Sequence, residues 1–591
     1  MTTSDATSSQ FPYQDPSLPV EQRVEDLLSR LSVEDKAGLM FHTMTGYGDV
    51  TQAEPMFGLP SLRSMVTGRR MNHFNVVGSP GSAREMAAWH NAAQDLAAGT
   101  GWGVPLTISS DPRHGFTDNP GAAMLAGTFS QWPETLGLAA IGDADLVQAF
   151  GDIARQEYIA VGIRVALHPQ IDLATEPRWS RISGTFGEDA DLTGRLGAAY
   201  IRGFQGVRLG ADSVATMTKH FPGGGPQKDG EDPHFAYGKD QVYPGGNFDY
   251  HLRPFLPAIE AGTSQMMPYY GRPLGTEYEE VGFGFNSGVL TGLLREKLGF
   301  TGIICTDWGL LTDATILGQD MPARAWGLEH LTREERVVRA IDAGVDQFGG
   351  ELCTEVLLTV IQDGRVSEAR LDESVRRLLR EKFVLGLFDD RHVDVERAGV
   401  VVGSADFQAA GLDAQRAAVT LLANAADGAA RLPLHHGIRV YCEGIDPAAI
   451  EPYATPVAEP ADAEVAIVRV KAPFEPRGEG FESFFHAGSL EFPAERLDHL
   501  RELCATVPTV IDVYLDRPAV LAPLVEFAGA LTATYGSSDA ALAAVLFGAS
   551  EPRGKLPFDI PSSMAAVVAS RSDVPFDTSE PTFRFGHGLS Y

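Results

Sequence analysis

From about Val20 to Phe388, short apolar runs alternate with amphipathic helical stretches, and this alternation constrains the fold more than any single motif does. Repeated strand–helix units build a parallel sheet whose strands are covered on both faces, so each strand reads as a compact apolar run. Val104–Ile108, Val165–Leu167, Ala215–Met217 and Gly302–Thr306 are such runs. Ala83–Leu96, Ala144–Val161 and Asp372–Phe383 carry helical periodicity between them. The length of residues 1–388 suits one (β/α)8-like TIM barrel with an N-terminal extension and insertions, a fold that collects its chemistry at the carboxyl ends of its strands.

A chain of 591 residues exceeds one hydrophobic core, and the pattern breaks after the LGLF that ends a helix near Phe388. The stretch 389–415 reads as a linker. A second alternating block over 416–591 contains the strand-like runs Ile438–Cys442, Val465–Val470, Val510–Tyr514 and Ala530–Thr534, the pattern of a doubly wound α/β domain.

The formal charge of −31, from 78 acidic and 47 basic residues, argues against nucleic acid or an anionic membrane as partner and favours a neutral ligand. No apolar run approaches the ~20 residues of a membrane span. The N-terminal MTTSDATSSQFPYQDPS has neither a basic nor an apolar signal region, so a cytoplasmic location is expected. Cys305, Cys353, Cys442 and Cys504 form no CxxC or Cys/His ligand spacing and suit small hydrophobes in a reducing compartment. Gly223–Gly225 lacks the Lys-Ser/Thr of a phosphate loop, and nothing calls for a metal or an organic cofactor.

Four polar clusters follow predicted barrel strands. In TGLLREKLGFTGIICTDW, a helical stretch, a glycine stop and an apolar run end on Asp307, which serves equally as a cap for a following helix or as a catalytic carboxylate. In TMTKHFPGGG, Lys219 and His220 follow Ala215–Met217; adjacent side chains on a regular strand point to opposite faces, so both reach one pocket only where strand gives way to loop. EPRWSRISGTFGED offers Arg178 and Arg181, whose forked donors suit vicinal hydroxyls or a carboxylate. ISSDPRHG places Asp111 directly after Leu106–Ile108, where a carboxylate accepts two hydrogen bonds from neighbouring sugar hydroxyls.

TDW, KHFPGGG, PRWSRISGTFGED, ASEPRGKLPFDIP and FRFGHGLSY together resemble the family 3 glycoside hydrolases, in the exo-acting β-glucosidase group, from roughly Asp26 to Tyr591. The resemblance implies a barrel followed by a six-stranded α/β sandwich, with an active site built by both. It implies Asp307 as nucleophile of a retaining exo-β-glucosidase, and Asp111, Arg181, Lys219, His220, Met267, Tyr270 and Trp308 as the glucose-binding residues. The family draws its acid/base from a variable loop of the second domain. Here that loop reads KAPFEPRGEGFESFF, and Glu475, behind Pro473 and Phe474, matches the Pro-aromatic-Glu pattern better than Glu479 or Glu482. Such a glutamate must hold its proton near neutral pH, which desolvation by Phe474, Phe481 and Phe484 would favour, while Lys219 or Arg181 would keep Asp307 ionised. The expected partner is a β-glucoside. A homodimer is compatible with the resemblance, though no sequence feature demands it.

Three other readings stay open. A β-N-acetylglucosaminidase of the same family takes its proton from an Asp-His pair after KHFPG, and Asp232-Pro233-His234 stands in that loop, although GGG replaces the usual Gly-His-Gly. A β-xylosidase differs by one hydroxymethyl group in its substrate, a discrimination of only ~1–3 kcal/mol. A catalytically dead sugar-binding protein is the non-enzymatic reading, against which both carboxylates survive. The long loop QKDGEDPHFAYGKDQVYPGGNFDY is placed to shape the outer part of the site, but linkage preference is not encoded in any motif.

Overall fold

A computed structural model of the chain describes residues 11–54, 57–119, 121–424 and 431–591. Eight strands form the first sheet: β1 (Phe41–Gly46), β2 (His73–Val77), β3 (Thr107–Ser110), β4 (Ile163–Ala166), β5 (Ala215–Phe221), β6 (Gln265–Pro268), β7 (Ile303–Ile304) and β8 (Phe348–Gly349). Neighbours run parallel in the order β8-β1-β2-β3-β4-β5-β6-β7. The two ends of this order also meet. The amides of Asp346 and Gln347 donate to Ile304 O at 2.9 and 3.1 Å, and Thr306 N donates to Gln347 O at 2.9 Å. The sheet therefore closes on itself and leaves no edge among these strands.

The expected barrel is present, but two of its strands do not look apolar. β1 and β2 bury His42, Thr43, Thr45, His73 and Asn75, so FHTMTG and HFNVV escape a hydrophobicity reading. His42 finds partners across the barrel, Ser109 Oγ at 2.7 Å and Gln347 Oε1 at 3.2 Å, and Asn75 Nδ2 reaches Asp111 at 3.0 Å, whereas the His73 ring nitrogens and the Thr43 hydroxyl are buried without a partner. At the opposite end, the helix Glu368–Val384 buries Lys382, whose Nζ donates to Asn72 O, Pro105 O and Thr107 Oγ1 at 3.1, 3.0 and 2.6 Å.

The second sheet contains β9 (Thr420–Ala423), β10 (Arg439–Glu443), β11 (Thr455–Val457), β12 (Val465–Lys471), β13 (Thr509–Tyr514) and β14 (Ala530–Thr534), in the order β9-β14-β13-β12-β10-β11. All pairs are parallel except β9 with β14, an antiparallel edge of the kind common on doubly wound sheets. Within the stretch 389–415, the helix Val395–Val401 packs on the barrel helices Ala83–Ala98 and Ala144–Ala160. Val393 and Asn91 exchange two hydrogen bonds of 2.9 Å just before it, so this part of the chain is fastened to the barrel surface.

The two domains are tied by backbone groups that find carboxylates across the interface. Glu188, in the same loop as Arg181, accepts from Asp559 N at 2.6 Å and Phe576 N at 2.8 Å. Asp573 accepts from Gly245 N at 2.7 Å and Asn247 N at 2.8 Å. Burial pushes the Glu188 carboxyl up to about 8, against the pull of its two amide donors. A carboxyl that binds its proton more tightly when folded adds most stability at low pH and loses that contribution as pH rises from 4.5 to about 8. The thermal midpoint of wild type should therefore exceed that of Glu188→Gln most at pH 5, and the gap should narrow toward pH 8. A gap that widened toward pH 8 would show Glu188 acting as a carboxylate.

Candidate active site

Closing the barrel brings the strand ends together around a cavity. Its lining includes Asp111, Arg181, Lys219, His220, Met267, Tyr270, Asp307 and Trp308, so every barrel residue expected at the site reaches one space. Asp111 directly follows β3. Its Oδ1 accepts from Lys219 Nζ at 3.0 Å and its Oδ2 from Asn75 Nδ2 at 3.0 Å.

Lys219 and His220 share the cavity for a reason different from the expected loop. β5 continues to Phe221, and its pairing with β6 matches Lys219 to Met267 but Phe221 to Pro268, leaving His220 as an extra residue. Such a bulge turns two consecutive side chains toward the same side. The His220 ring is fixed by Asp172, 2.7 Å from Nδ1, which also accepts from the amides of His220 and Gly224. Gly225 is obligatory in this turn, since a Cβ there would lie 1.8 Å from Leu173 O. Burial lowers the His220 pKa, while Asp172 and Asp307 work in the opposite direction.

Asp307 lies three residues beyond β7 and is 7% exposed. No helix begins at it, which removes the capping role the sequence allowed. Its Oδ1 accepts from Trp308 N at 2.8 Å. Its Oδ2 is buried without a hydrogen-bond partner, 3.7 Å from His220 Nε2. Of the two cations expected to act on Asp307, Lys219 pairs with Asp111 instead, whereas Arg181 does feel the Asp307 charge; the ring of His220 stands 3.7 Å away. Tyr270 donates to Trp308 O at 2.8 Å, and Arg324 Nη1 donates to the same oxygen at 3.0 Å, so the main chain next to the carboxylate is held from two sides. Arg178 faces elsewhere, paired with Glu176 through Nε at 2.8 Å.

The second domain reaches the cavity through Phe481. Its loop docks on the long insertion after β5: Arg477 pairs with Glu231, Tyr237 donates to Glu482, and Phe481 and Phe485 pack on the His234 ring at 6.0 and 4.9 Å. Glu475 is not brought to the cavity. Its backbone pairs with Ala487, its Oε1 accepts from Ser489 N at 3.1 Å, and Arg517 fixes the turn through the carbonyls of Ala487, Gly488 and Ser489. The expected desolvation of Glu475 is also missing, because Glu475, Phe474 and Phe484 are exposed and only Phe481 turns inward.

His234, by contrast, lines the cavity. Its Nδ1 is 2.6 Å from Asp232 Oδ1, and Asp232 Oδ2 accepts from Trp179 Nε1 and Ser180 Oγ, both at 3.2 Å. His234 and Arg181 hold the Asp232 carboxyl at about 2 in spite of burial, and burial draws His234 below the usual histidine range. Asn75, Asp172, Arg324 and Ile316 are further residues of the site that sequence patterns did not single out. Only Asp172 left a trace, as a carboxylate between the apolar Ile171 and Leu173. Among the described residues no group of His, Cys, Asp or Glu is placed to hold a metal ion.

Known proteins match the chain on both of its domains. The glycosyl hydrolase family 3 N-terminal domain matches residues 74–381, and the family 3 C-terminal domain matches residues 336–591. A protein of Aspergillus flavus described as a probable β-glucosidase C is 52% identical over 581 residues, 98% of this chain and 92% of its own length. The β-glucosidase C of Emericella nidulans is 50% identical over 584 residues, 98% of this chain and 94% of its own. A periplasmic β-glucosidase/β-xylosidase of Dickeya chrysanthemi is 42% identical, across 98% and 91% of the two chains. Among solved structures, a β-glucosidase from Listeria innocua in complex with isofagomine superposes with a TM-score of 0.76 at 20% identity, covering 96% of this chain and 83% of that one, a likeness of fold. Sequence matches on both sides of the cavity and over nearly the whole length lead to one conclusion: the chain belongs to glycosyl hydrolase family 3.

Proposed function

We propose that the chain is a β-glucosidase that releases terminal β-D-glucosyl residues with retention of configuration, with Asp307 as the nucleophile. The observation that carries this reading is the buried, unpartnered Oδ2 of Asp307 at the cavity wall. A carboxylate oxygen without a donor is costly to bury unless it serves a purpose, and attack on an anomeric carbon needs just such a free lone pair. Around it, Asp111, Lys219, His220 and Arg181 offer acceptors and forked or charged donors for the hydroxyls of a neutral sugar. β-Glucosidase is also the activity named for the family members that match at 50–52% identity.

In a retaining glycosidase the attacking carboxylate forms a glycosyl-enzyme intermediate while a second group protonates the leaving oxygen, and later deprotonates the water that releases the sugar. We assign that second role to Glu475 on its Pro-aromatic-Glu pattern. Reaching the glycosidic oxygen requires the turn 475–489 to release the Ser489 amide from the carboxylate. A second reading, favoured by the position of His234 on the cavity wall, gives the proton to His234 with Asp232 behind it. In that reading, the carboxylate holds the ring in one tautomer and stabilises the imidazolium.

Aryl and alkyl β-glucosides separate the roles. Asp307→Ala should lower kcat/KM by about 10⁴- to 10⁶-fold on every substrate. Loss of the true proton donor should cost about 10²- to 10⁴-fold on an alkyl glucoside and little on a dinitrophenyl glucoside, whose leaving group needs no proton. Glu475→Gln should show that split while His234→Ala does not; the reverse assigns the donor to the Asp232–His234 pair. Xyloside and N-acetylglucosaminide measured alongside should be slower than the glucoside. Asp111→Asn should cost about 1.5–3 kcal/mol of transition-state binding, by removing the charged acceptor of a sugar hydroxyl and stranding Lys219. An Asp111→Asn variant with unchanged kcat/KM would exclude this contact.

A further inference from the structure

The lining of the cavity divides into polar and apolar parts. Asn75, Asp111, Arg181, Lys219, His220 and Asp307 line one part, whereas Met44 of β1 and, from segments outside the barrel strands, Phe57, Ile316 and Phe481 line another. Ile316 belongs to a two-stranded ribbon, Ala314–Ile316 with Gln319–Met321, that follows Asp307 and folds back over the mouth. It packs against two groups of apolar side chains, one with Phe57 and Met124, the other with Phe235, Phe481 and Phe485, and so joins the barrel side of the mouth to the second domain. Phe481 is seated by close approach: a Cβ at Gly121 would lie 2.7 Å from its ring.

Apart from His234, the polar groups around this rim are engaged with protein partners. Arg324 directs Nε to His234 O at 3.2 Å and Nη1 to Trp308 O at 3.0 Å. Arg477 is paired with Glu231, Glu482 accepts from Tyr237, and Asn119 Nδ2 donates to Phe484 O at 3.1 Å. A second sugar in the apolar part would give up water around several hydroxyls and find few free partners among these residues, whereas an apolar group would lose only unfavourable hydration.

Building on the β-glucosidase reading, we infer that Met44, Phe57, Ile316 and Phe481 form an apolar collar on the leaving-group side that selects glucosides of apolar alcohols over glucosides of a second sugar. The collar binds the aglycone and takes no part in bond breaking. Its contribution appears in kcat/KM, because contact with the leaving group is present from substrate binding through the first transition state.

The test compares methyl, butyl and octyl β-D-glucosides, below the micelle concentration of the octyl compound, with cellobiose. The three alkyl glucosides have alkoxide leaving groups of similar acidity, so differences among them report aglycone contacts rather than chemistry, and the more acidic sugar hydroxyl of cellobiose favours its departure, so a lower kcat/KM there is not a leaving-group effect. The expected result is a rise in kcat/KM of at least about tenfold from methyl to octyl, with cellobiose below octyl. Ile316→Asn should flatten the rise, and Phe481→Ser should flatten it through the opposite wall. A flat series in wild type, or cellobiose above octyl glucoside, overturns the inference while leaving the glucosidase reading intact. Absence of turnover on all four, together with absence of turnover on aryl glucosides, overturns both.

Discussion

The hydrogen bonds that join Ile304 to Asp346 and Gln347 carry the architecture of the site. With the last two strands joined, eight parallel strands point their carboxyl ends at one axis, and side chains far apart in sequence meet there. Asp111 and Lys219 are 108 residues apart and make a 3.0 Å ion pair. His220 and Asp307 come within 3.7 Å across two strand ends. An open sheet would spread these groups along a line, and no pocket deep enough to surround a sugar would form.

The barrel alone is not the complete site. The second domain is held by amide-to-carboxylate contacts at Glu188 and Asp573, by the Arg517 donation to Arg178 O, and by the Arg477–Glu231 pair. Two of these anchors lie within or next to sequence segments that also feed the cavity: Glu188 follows Arg181 in one loop, and Glu231 precedes Asp232 and His234 in another. The same loops therefore position substrate-facing groups and attach the domain that supplies Phe481. Mutations at the interface should accordingly register in catalysis as well as in stability.

Much of this was legible because the relevant signals are local. An apolar run followed at once by a polar residue marked Asp111, Lys219, His220 and Asp307, and the structure places all four around one cavity. β1 and β2 were not legible, because a barrel interior tolerates His42 and Asn75 when partners cross from other strands, and no periodicity records those partners. Asp172 was missed for the same reason: its importance is a 2.7 Å contact to a ring 48 residues away. The loop around Glu475 shows the opposite failure. A short pattern pointed to the residue as the expected acid/base, while the direction of its carboxylate was decided by Ser489 and Arg517.

By itself the sequence determined the alternation that builds both domains, the strand-end carboxylates and the family to which the chain belongs, since each depends on residue type and short spacing. Tertiary structure alone decided that a bulge, rather than a loop, turns Lys219 and His220 together, that Lys219 pairs with Asp111 instead of Asp307, and that His234 stands on the cavity wall while Glu475 faces away. It also decided where the apolar side chains of the cavity meet, since a barrel strand, a loop, a two-stranded ribbon and the second domain each contribute one. The physical reason is common to all of these: hydrogen bonds and desolvation depend on distances between distant segments, and those distances exist only once the barrel has closed and the second domain has docked.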